Sequence, residues 1–340
     1  MPADTQVKAQ GADIRFAKMD GTHLAYQIER WVDGVNDKDT ADIWVKIDTV
    51  FGNSDAQFIN MYWGKSDAVD SSNSGNVFAT GNGFVGVWHL NTTGTGSRPD
   101  ATSNGLSATT NNYNSSVSKP GYIGNSDSLN GSNQYLSLPS GMSNWSNGIT
   151  YYCWAYPTSS GSAARFMDFG NGQQSDNIIF SRNGTSSNLC VQVLNGSDYG
   201  GQIIENTGAL VNNQWGHYAF TVNGTCVKIY KNGVYVGGGT STQTINNITR
   251  NNNWFGRSAW ECAPYNDAYY KGKYDEIVLS NVERSADWIK LCYENQKQNQ
   301  AFATIKDVST FYLTDDGRGT RIQKNQVQVD FSGNSFWLKK

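Results

Sequence analysis

Residues 214–236 read QWGHYAFTVNGTCVKIYKNGVYV, and this stretch indicates the fold class. It holds two apolar runs, residues 218–222 and 226–236, and the second run breaks at Asn232-Gly233. Both central residues of a type I′ turn need a positive φ, which Asn and Gly tolerate. The stretch therefore predicts a β-hairpin.

The same alternation of apolar and polar residues continues on both sides of this hairpin. It is found in residues 43–48, 58–63, 135–138, 149–156, 189–193 and 277–279. One stretch has helical spacing instead, with Ser285 as N-cap, Asp287 in the first turn, and Trp288, Leu291 and Cys292 on one face. The sequence predicts an all-β protein.

The composition excludes several classes of function. Lys+Arg number 26 and Asp+Glu 29 in 340 residues, a formal charge of -3, so no basic surface predicts nucleic-acid binding. Charged residues make up 16%, against about 25% in typical soluble domains, while aromatic residues reach 13%. No apolar run is long enough for a membrane-spanning helix, so no membrane insertion is predicted.

Shifts in composition predict three segments. They are an N-terminal β-domain at 1–80, a larger β-domain at 83–296 and a short β tail at 297–340. The tail is too short to bury a core alone, so it either packs on a neighbour or starts a further module.

The N-terminus has no signal-peptide pattern, which indicates a cytosolic protein or a piece of a longer one. The five cysteines lack C-x-x-C spacing, and Cys262 and Cys292 are the candidate disulfide pair.

A series of motifs in residues 83–296 resembles a laminin-G-like, concanavalin A-type jelly roll (a β-sandwich) of secreted bacterial proteins. The motifs are GFVGVWHL at 83–90, DATSNG at 100–105, LNGSNQYL at 129–136, the strand at 149–157, QWGHYA at 214–219, KIYKNG at 228–233, GKYDEI at 272–277 and RSADWI at 284–289. Their order and spacing over more than half of the chain carry the resemblance.

The segment before it resembles a bacterial domain of unknown function that often precedes such jelly rolls. The matching motifs are GADIRF at 11–16, YQIERW at 26–31, IWVK at 43–46 and MYWG at 61–64. That family usually has an opening strand pair, for which ten residues remain here, so the chain is expected to be truncated at its start. The resemblance implies a secreted or cell-surface protein with further domains.

The resemblance also implies a metal site. In such jelly rolls the Asp that opens the last strand often binds a structural calcium ion, and Asp275 occupies that position. Carbonyl oxygens, water and one carboxylate can supply the six to eight ligands that calcium takes. The alternative is a carboxylate that caps a turn.

Related jelly rolls include family 16-type glycoside hydrolases, so an enzyme is the second hypothesis. A retaining mechanism needs two carboxylates about 5–5.5 Å apart, and on one strand this requires Glu-x-Asp-x-Glu-like spacing. No glutamate of the chain has an Asp two residues later. Glu261 and Asp267, in one aromatic loop, are the weak candidate pair.

Binding of a neutral polysaccharide requires aromatic rings for the apolar sugar faces and amide or carboxylate groups for the hydroxyls. Trp88, Trp154 and Trp215 hold strand positions and are expected in the core. The candidate ligand-binding residues are loop aromatics, namely Trp254, Trp260, Tyr265, Tyr269, Tyr270, Tyr199 and Trp145. The sequence favours non-catalytic polysaccharide binding, with targeting of an attached enzyme to plant cell wall as the expected role. A protein-binding adhesion module is a third hypothesis.

Overall fold

The computed structural model describes residues 7–34, 39–51, 57–298, 303–307, 313–315, 320–322, 326–331 and 335–339, with side chains up to residue 298 except 199 and 200. The chain divides into two compact units. The first consists of residues 1–77 and 291–340, and the second of residues 78–290. The tail that was predicted at 297–340 is therefore grouped with the N-terminal segment.

The described strands of the first unit form three antiparallel sheets, of two, three and five strands. Its N-terminal strands are β1 (Arg15–Ala17), β2 (His23–Leu24), β3 (Tyr26–Val32), β4 (Thr40–Lys46) and β5 (Phe58–Tyr62), followed by the short helix α1 (Ser74–Val77). Phe16, Tyr26, Ile43, Val45 and Ile59 form its core. The alternation in residues 43–48 reflects this core, because Ile43 and Val45 face it from β4.

The second unit is a sandwich of two larger antiparallel sheets. Sheet A has the order β15 (Asp198–Ile204), β14 (Leu189–Asn195), β13 (Ile178–Arg182), β12 (Arg165–Gly170), β19 (Asn252–Phe255), β10 (Tyr135–Leu138) and β7 (Thr109–Asn111). Sheet B has the order β18 (Val234–Thr240), β17 (Cys226–Lys231), β16 (Gly216–Asn223), β11 (Ile149–Pro157), β20 (Lys271–Ser280), β9 (Asn125–Asn130) and β8 (Ser118–Pro120), and β6 (Phe84–Trp88) also pairs with β20.

The chain then returns to the first unit. Helix α2 (Ala286–Gln296) leads to β21 (Ala303–Asp307), β22 (Leu313–Asp315), β23 (Thr320–Ile322), β24 (Gln326–Phe331) and β25 (Ser335–Lys339). Strand β24 pairs with β5, and β25 pairs with β4. Among the described residues no helix is long and apolar enough to cross a bilayer.

The all-β prediction is confirmed, and so are its two local signals. Asn232 and Gly233 both have positive φ, at 50° and 75°, between β17 and β18. The N–H of Trp288 donates to Ser285 Oγ at 3.1 Å, which is the predicted cap of α2. The five cysteines, all within the described ranges, are free thiols, so the candidate pair Cys262 and Cys292 is not bridged.

Aromatic side chains fill the space between sheets A and B. Phe180 of sheet A lies 5.2 Å from Phe220 of sheet B between ring centroids, and Trp88 of sheet B lies 5.3 Å from Phe255 of sheet A. Each fully buried side chain of this size contributes about 1.5–3 kcal/mol to folding. The core therefore fixes which residues of each strand point outward.

A buried ion pair joins a loop of the sandwich to strand β9. The Arg98 guanidinium donates to both carboxylate oxygens of Asp127, at 2.8–3.0 Å, and the Tyr113 hydroxyl donates to Asp127 at 3.1 Å. Arg98 also donates to the carbonyls of Gly94 and Gly96. Arg98 thus ties the loop of residues 94–98 to Asp127 on strand β9, and breaking the pair would leave a buried charge without a partner.

His217 makes the jelly roll sensitive to acid. Its ring is fully buried on the outer side of β16, 4.8 Å from the Tyr152 ring and 5.4 Å from the Trp154 ring. Burial lowers the pKa of His217 to about 3. The unfolded chain, with an ordinary histidine pKa near 6.5, binds a proton that the folded chain excludes, so stability is lost as the pH falls from about 6.5.

As the pH falls from 7 to 5, we therefore expect His217→Gln to lose less unfolding free energy than the wild type. Below about pH 6.5 the difference in slope is up to about 1.4 kcal/mol per pH unit. Urea unfolding at several pH values measures this slope. His23→Gln, a change at an exposed histidine, is the control. Equal slopes for wild type and His217→Gln would contradict the prediction.

Candidate functional site

Trp254 lies on the outer face of sheet A. Its neighbour Phe255 belongs to the core, and successive residues of a strand point to opposite faces. In the register of the sheet Trp254 is opposite Ser137 on β10 and Asp168 on β12. The Trp254 ring remains partly exposed.

Arg257 joins this ring to a second aromatic side chain. Its guanidinium lies 4.3 Å from the Trp254 ring centroid and 4.7 Å from that of Tyr135. Arg257 Nη1 also donates to the Tyr135 hydroxyl at 2.9 Å. The Tyr269 ring lies 6.2 Å from the Tyr135 ring. Together with Glu261 these residues form what we call the Trp254 cluster.

Glu261 neutralises the charge of Arg257. Its carboxylate accepts hydrogen bonds from Arg257 Nε, at 3.1 Å, and from Arg257 Nη2. Burial alone raises the pKa of Glu261, but hydrogen bonds from Arg257 and Tyr269 outweigh burial and lower it. Burial and the Glu261 carboxylate raise the pKa of Tyr269 to about 12. The cluster thus holds one matched ion pair and a protonated phenol.

Small polar groups continue the surface beyond the rings. Asn111 on β7 and Ser137 on β10 face outward, and Asn111 Nδ2 donates to Ser137 Oγ at 3.0 Å. The register pairs Tyr135 with Asn111. Three adjacent strands therefore present indole, phenol, amide and hydroxyl groups side by side.

The loop that carries Glu261 and Tyr269 is anchored on the same sheet. Trp260 packs on Ile179 and Leu194 of sheet A. The Asp267 carboxylate accepts from Arg165 Nη2 at 2.6 Å and from Ser258 Oγ at 2.8 Å. Asp267 is thus held in an ion pair at the base of the loop, whereas Glu261 lies in the cluster.

The structure separates the predicted ligand-binding residues into three groups. Trp254 and Tyr269 come together in the cluster, and Tyr265 is 52% exposed in the loop. Trp145 and Tyr270 belong to the core, and Trp260 is 5% exposed beneath the loop, so these three are corrected to packing residues. The side chain of Tyr199 lies outside the described residues.

The two weak catalytic candidates are both held in ion pairs. Glu261 and Asp267 are each bound to a different arginine, Arg257 and Arg165. A general acid needs a raised pKa, and that of Glu261 is lowered. These two carboxylates therefore act as anchors of the loop.

The surroundings of Asp275 do not fit calcium. Its Oδ2 accepts from the backbone N–H groups of Tyr122 and Ile123 at 2.7 and 2.8 Å, and Oδ1 accepts from its neighbour Glu276 at 3.0 Å. A Cβ on Gly121 would lie 2.6 Å from Oδ2, so the turn closes over the carboxylate. Asp275 therefore has the capping role that was the alternative to a metal ligand.

Sequence reasoning missed Tyr135 and Arg257. A signal for Tyr135 was present, because it alternates with the core residues Leu136 and Leu138 in a predicted strand. Arg257 follows the strand that carries Trp254, and the sequence held no sign that its guanidinium covers two rings.

Two family matches cover most of the described chain. Residues 130–290 match the Concanavalin A-like lectin/glucanases superfamily (Laminin_G_3). Residues 10–92 match a domain of unknown function, DUF2341. The prediction of a laminin-G-like jelly roll preceded by a bacterial domain of unknown function is confirmed. A comparison with curated proteins found no match.

Among solved structures the chain is similar to domain 4 of AbnA, a GH43 extracellular arabinanase from Geobacillus stearothermophilus, in complex with arabinotriose. The identity is 21%, the TM-score is 0.48, and the match covers 61% of this chain and 97% of that one. The binding domain of Paraclostridial Mosquitocidal Protein 1 is 14% identical with a TM-score of 0.44, over 63% of this chain and 52% of that one. This chain thus spans about half of that toxin domain's length.

We expect Asp267→Asn to destabilise the jelly roll by about 2–3 kcal/mol, because it leaves the buried Arg165 charge without its closest carboxylate. Glu261→Gln, at the more exposed Arg257, is expected to cost about 1 kcal/mol or less. Thermal unfolding of the two variants measures the difference. Similar losses for both would contradict the anchor role of Asp267.

Proposed function

We propose that the outer face of sheet A binds a neutral polysaccharide without cleaving it. The observation that carries this proposal is the partly exposed Trp254 ring, flanked by Tyr135 and by the amide and hydroxyl of Asn111 and Ser137. The apolar face of a sugar ring stacks on indole, and its hydroxyls pair with small polar groups.

The matched charges of the cluster support a neutral ligand. The charges of Arg257 and Glu261 cancel each other, so the site as a whole has no net electrostatic attraction for an anionic or a cationic sugar. The Arg257 guanidinium also holds the two rings in place through its contacts with both. A preformed platform loses little side-chain entropy when a ligand binds.

The biological role follows as a further part of the proposal. A module that binds polysaccharide and does not cleave it would keep an attached enzyme on plant cell wall, as part of a secreted or cell-surface bacterial protein. The low fraction of charged residues, 16%, is consistent with a neutral partner outside the cell.

The test is depletion of the protein by a panel of insoluble cell-wall polysaccharides, with and without chelator, while new reducing ends are followed. We expect depletion without new reducing ends, and Trp254→Ala to weaken binding about tenfold or more, since it removes the apolar ring on which the sugar would stack. Chelator should not change the depletion, because Asp275, the candidate calcium ligand, accepts hydrogen bonds from N–H groups instead.

Tyr235→Ala is the matched control, because Tyr235 is an aromatic residue 55% exposed on sheet B. Equal binding by wild type and Trp254→Ala would overturn the proposed site. If the wild type releases reducing ends and Glu261→Gln does not, the glycoside hydrolase hypothesis would be favoured. Absence of binding to every polysaccharide would favour the protein-binding module.

A further inference from the structure

A second aromatic surface lies on the outer face of sheet B. The register between β11 and β20 places Tyr156 directly opposite Lys273, and Trp154 opposite Asp275. The core residue Tyr274 lies between Lys273 and Asp275, so both neighbours point away from the core. Trp154 is buried, whereas Tyr156 and Lys273 are partly exposed.

Trp215 completes this surface. Its ring packs at a steep angle against the Tyr156 ring, at a centroid distance of 5.7 Å, and lies 6.0 Å from the Tyr122 ring. Tyr122 in turn stacks on Trp154 at 3.5 Å. Trp215 was expected in the core, but it precedes β16 and its ring is only partly buried. We call Tyr122, Tyr156, Trp215 and Lys273 the Trp215 surface.

The ammonium group of Lys273 is held beside the rings. Its Nζ lies 5.4 Å from the Tyr156 ring centroid and 5.8 Å from that of Trp215, and it donates to the Pro120 carbonyl at 3.3 Å. Such contacts hold the charge beside the aromatic rings without neutralising it.

Two further lysines lie on the same face. On β9, Ser126, Ser128 and Asn130 share one face, and the register pairs them with Lys119, Lys273 and Lys271. Within the described residues no carboxylate lies within 4.0 Å of any of these three ammonium groups. Asp275, the nearest acidic residue along β20, is buried and accepts its hydrogen bonds from backbone N–H groups.

We propose that the Trp215 surface is a second glycan-binding site, selective for polysaccharides with carboxylate-bearing sugars such as uronic acids. The rings offer a face for the sugar, and Lys273 offers a positive charge for its carboxylate. Lys119 and Lys271 add positive potential along the strands. This site differs from the Trp254 cluster, where Glu261 cancels the only positive charge, so the two sheets would bind glycans of different charge.

The experiment is electrophoresis of the full chain through native gels that contain polygalacturonate or its methyl ester. The ester keeps the sugar rings and removes the negative charge. We expect retardation by polygalacturonate, weakened by added salt, and little retardation by the ester. Lys273→Gln should reduce the apparent affinity for polygalacturonate about tenfold, since a hydrogen bond between charged groups contributes roughly 1.5 kcal/mol or more.

Lys290→Gln is the matched control, because it removes the same charge from an exposed lysine on α2. Polygalacturonate should no longer retard Trp215→Ala, but it should still retard Trp254→Ala. This difference separates the Trp215 surface from the proposed neutral site. Equal retardation of Lys273→Gln and Lys290→Gln would overturn the proposal. Equal retardation by the ester, or no retardation of the wild type, would also overturn it.

Discussion

The jelly roll depends on one packing constraint, which is that each strand has one face in a common aromatic core. Phe180 and Phe220 meet across the two sheets, and Phe255 and Trp88 do the same further along. With these residues inside, the alternation of the strand leaves Trp254 and Tyr156 outside. Both candidate surfaces are thus placed by residues that no ligand touches.

Charged groups hold the loops at the ends of these strands. Arg98 with Asp127, and Arg165 with Asp267, each join a strand or loop to a segment distant in the sequence. Such pairs are costly to break because the remaining charge stays buried. The loop that carries Glu261 and Tyr269 is therefore a stable part of the candidate site, which is formed without a ligand.

The sequence predicted the fold well because its signals are local. Strand alternation, the Asn232-Gly233 turn and the Ser285 cap all act over a few residues. It predicted the site less well because side-chain roles depend on distant partners. Trp260 and Trp254 have the same chemistry six residues apart, yet Trp260 covers Ile179 and Leu194 while Trp254 is partly open. Asp275 similarly has the sequence position of a metal ligand, but its carboxylate binds N–H groups some 150 residues away in the chain.

The first unit is built from both ends of the described chain, and the jelly roll is inserted between them. Strands β24 and β25 pair with β5 and β4, so the segments that precede and follow the insertion are joined by hydrogen bonds. A pulling force applied to the two flanks of the first unit would load these strand pairs. The sandwich would stay off the load path until the pairs separate, and both candidate surfaces would keep their shape while the chain is under tension.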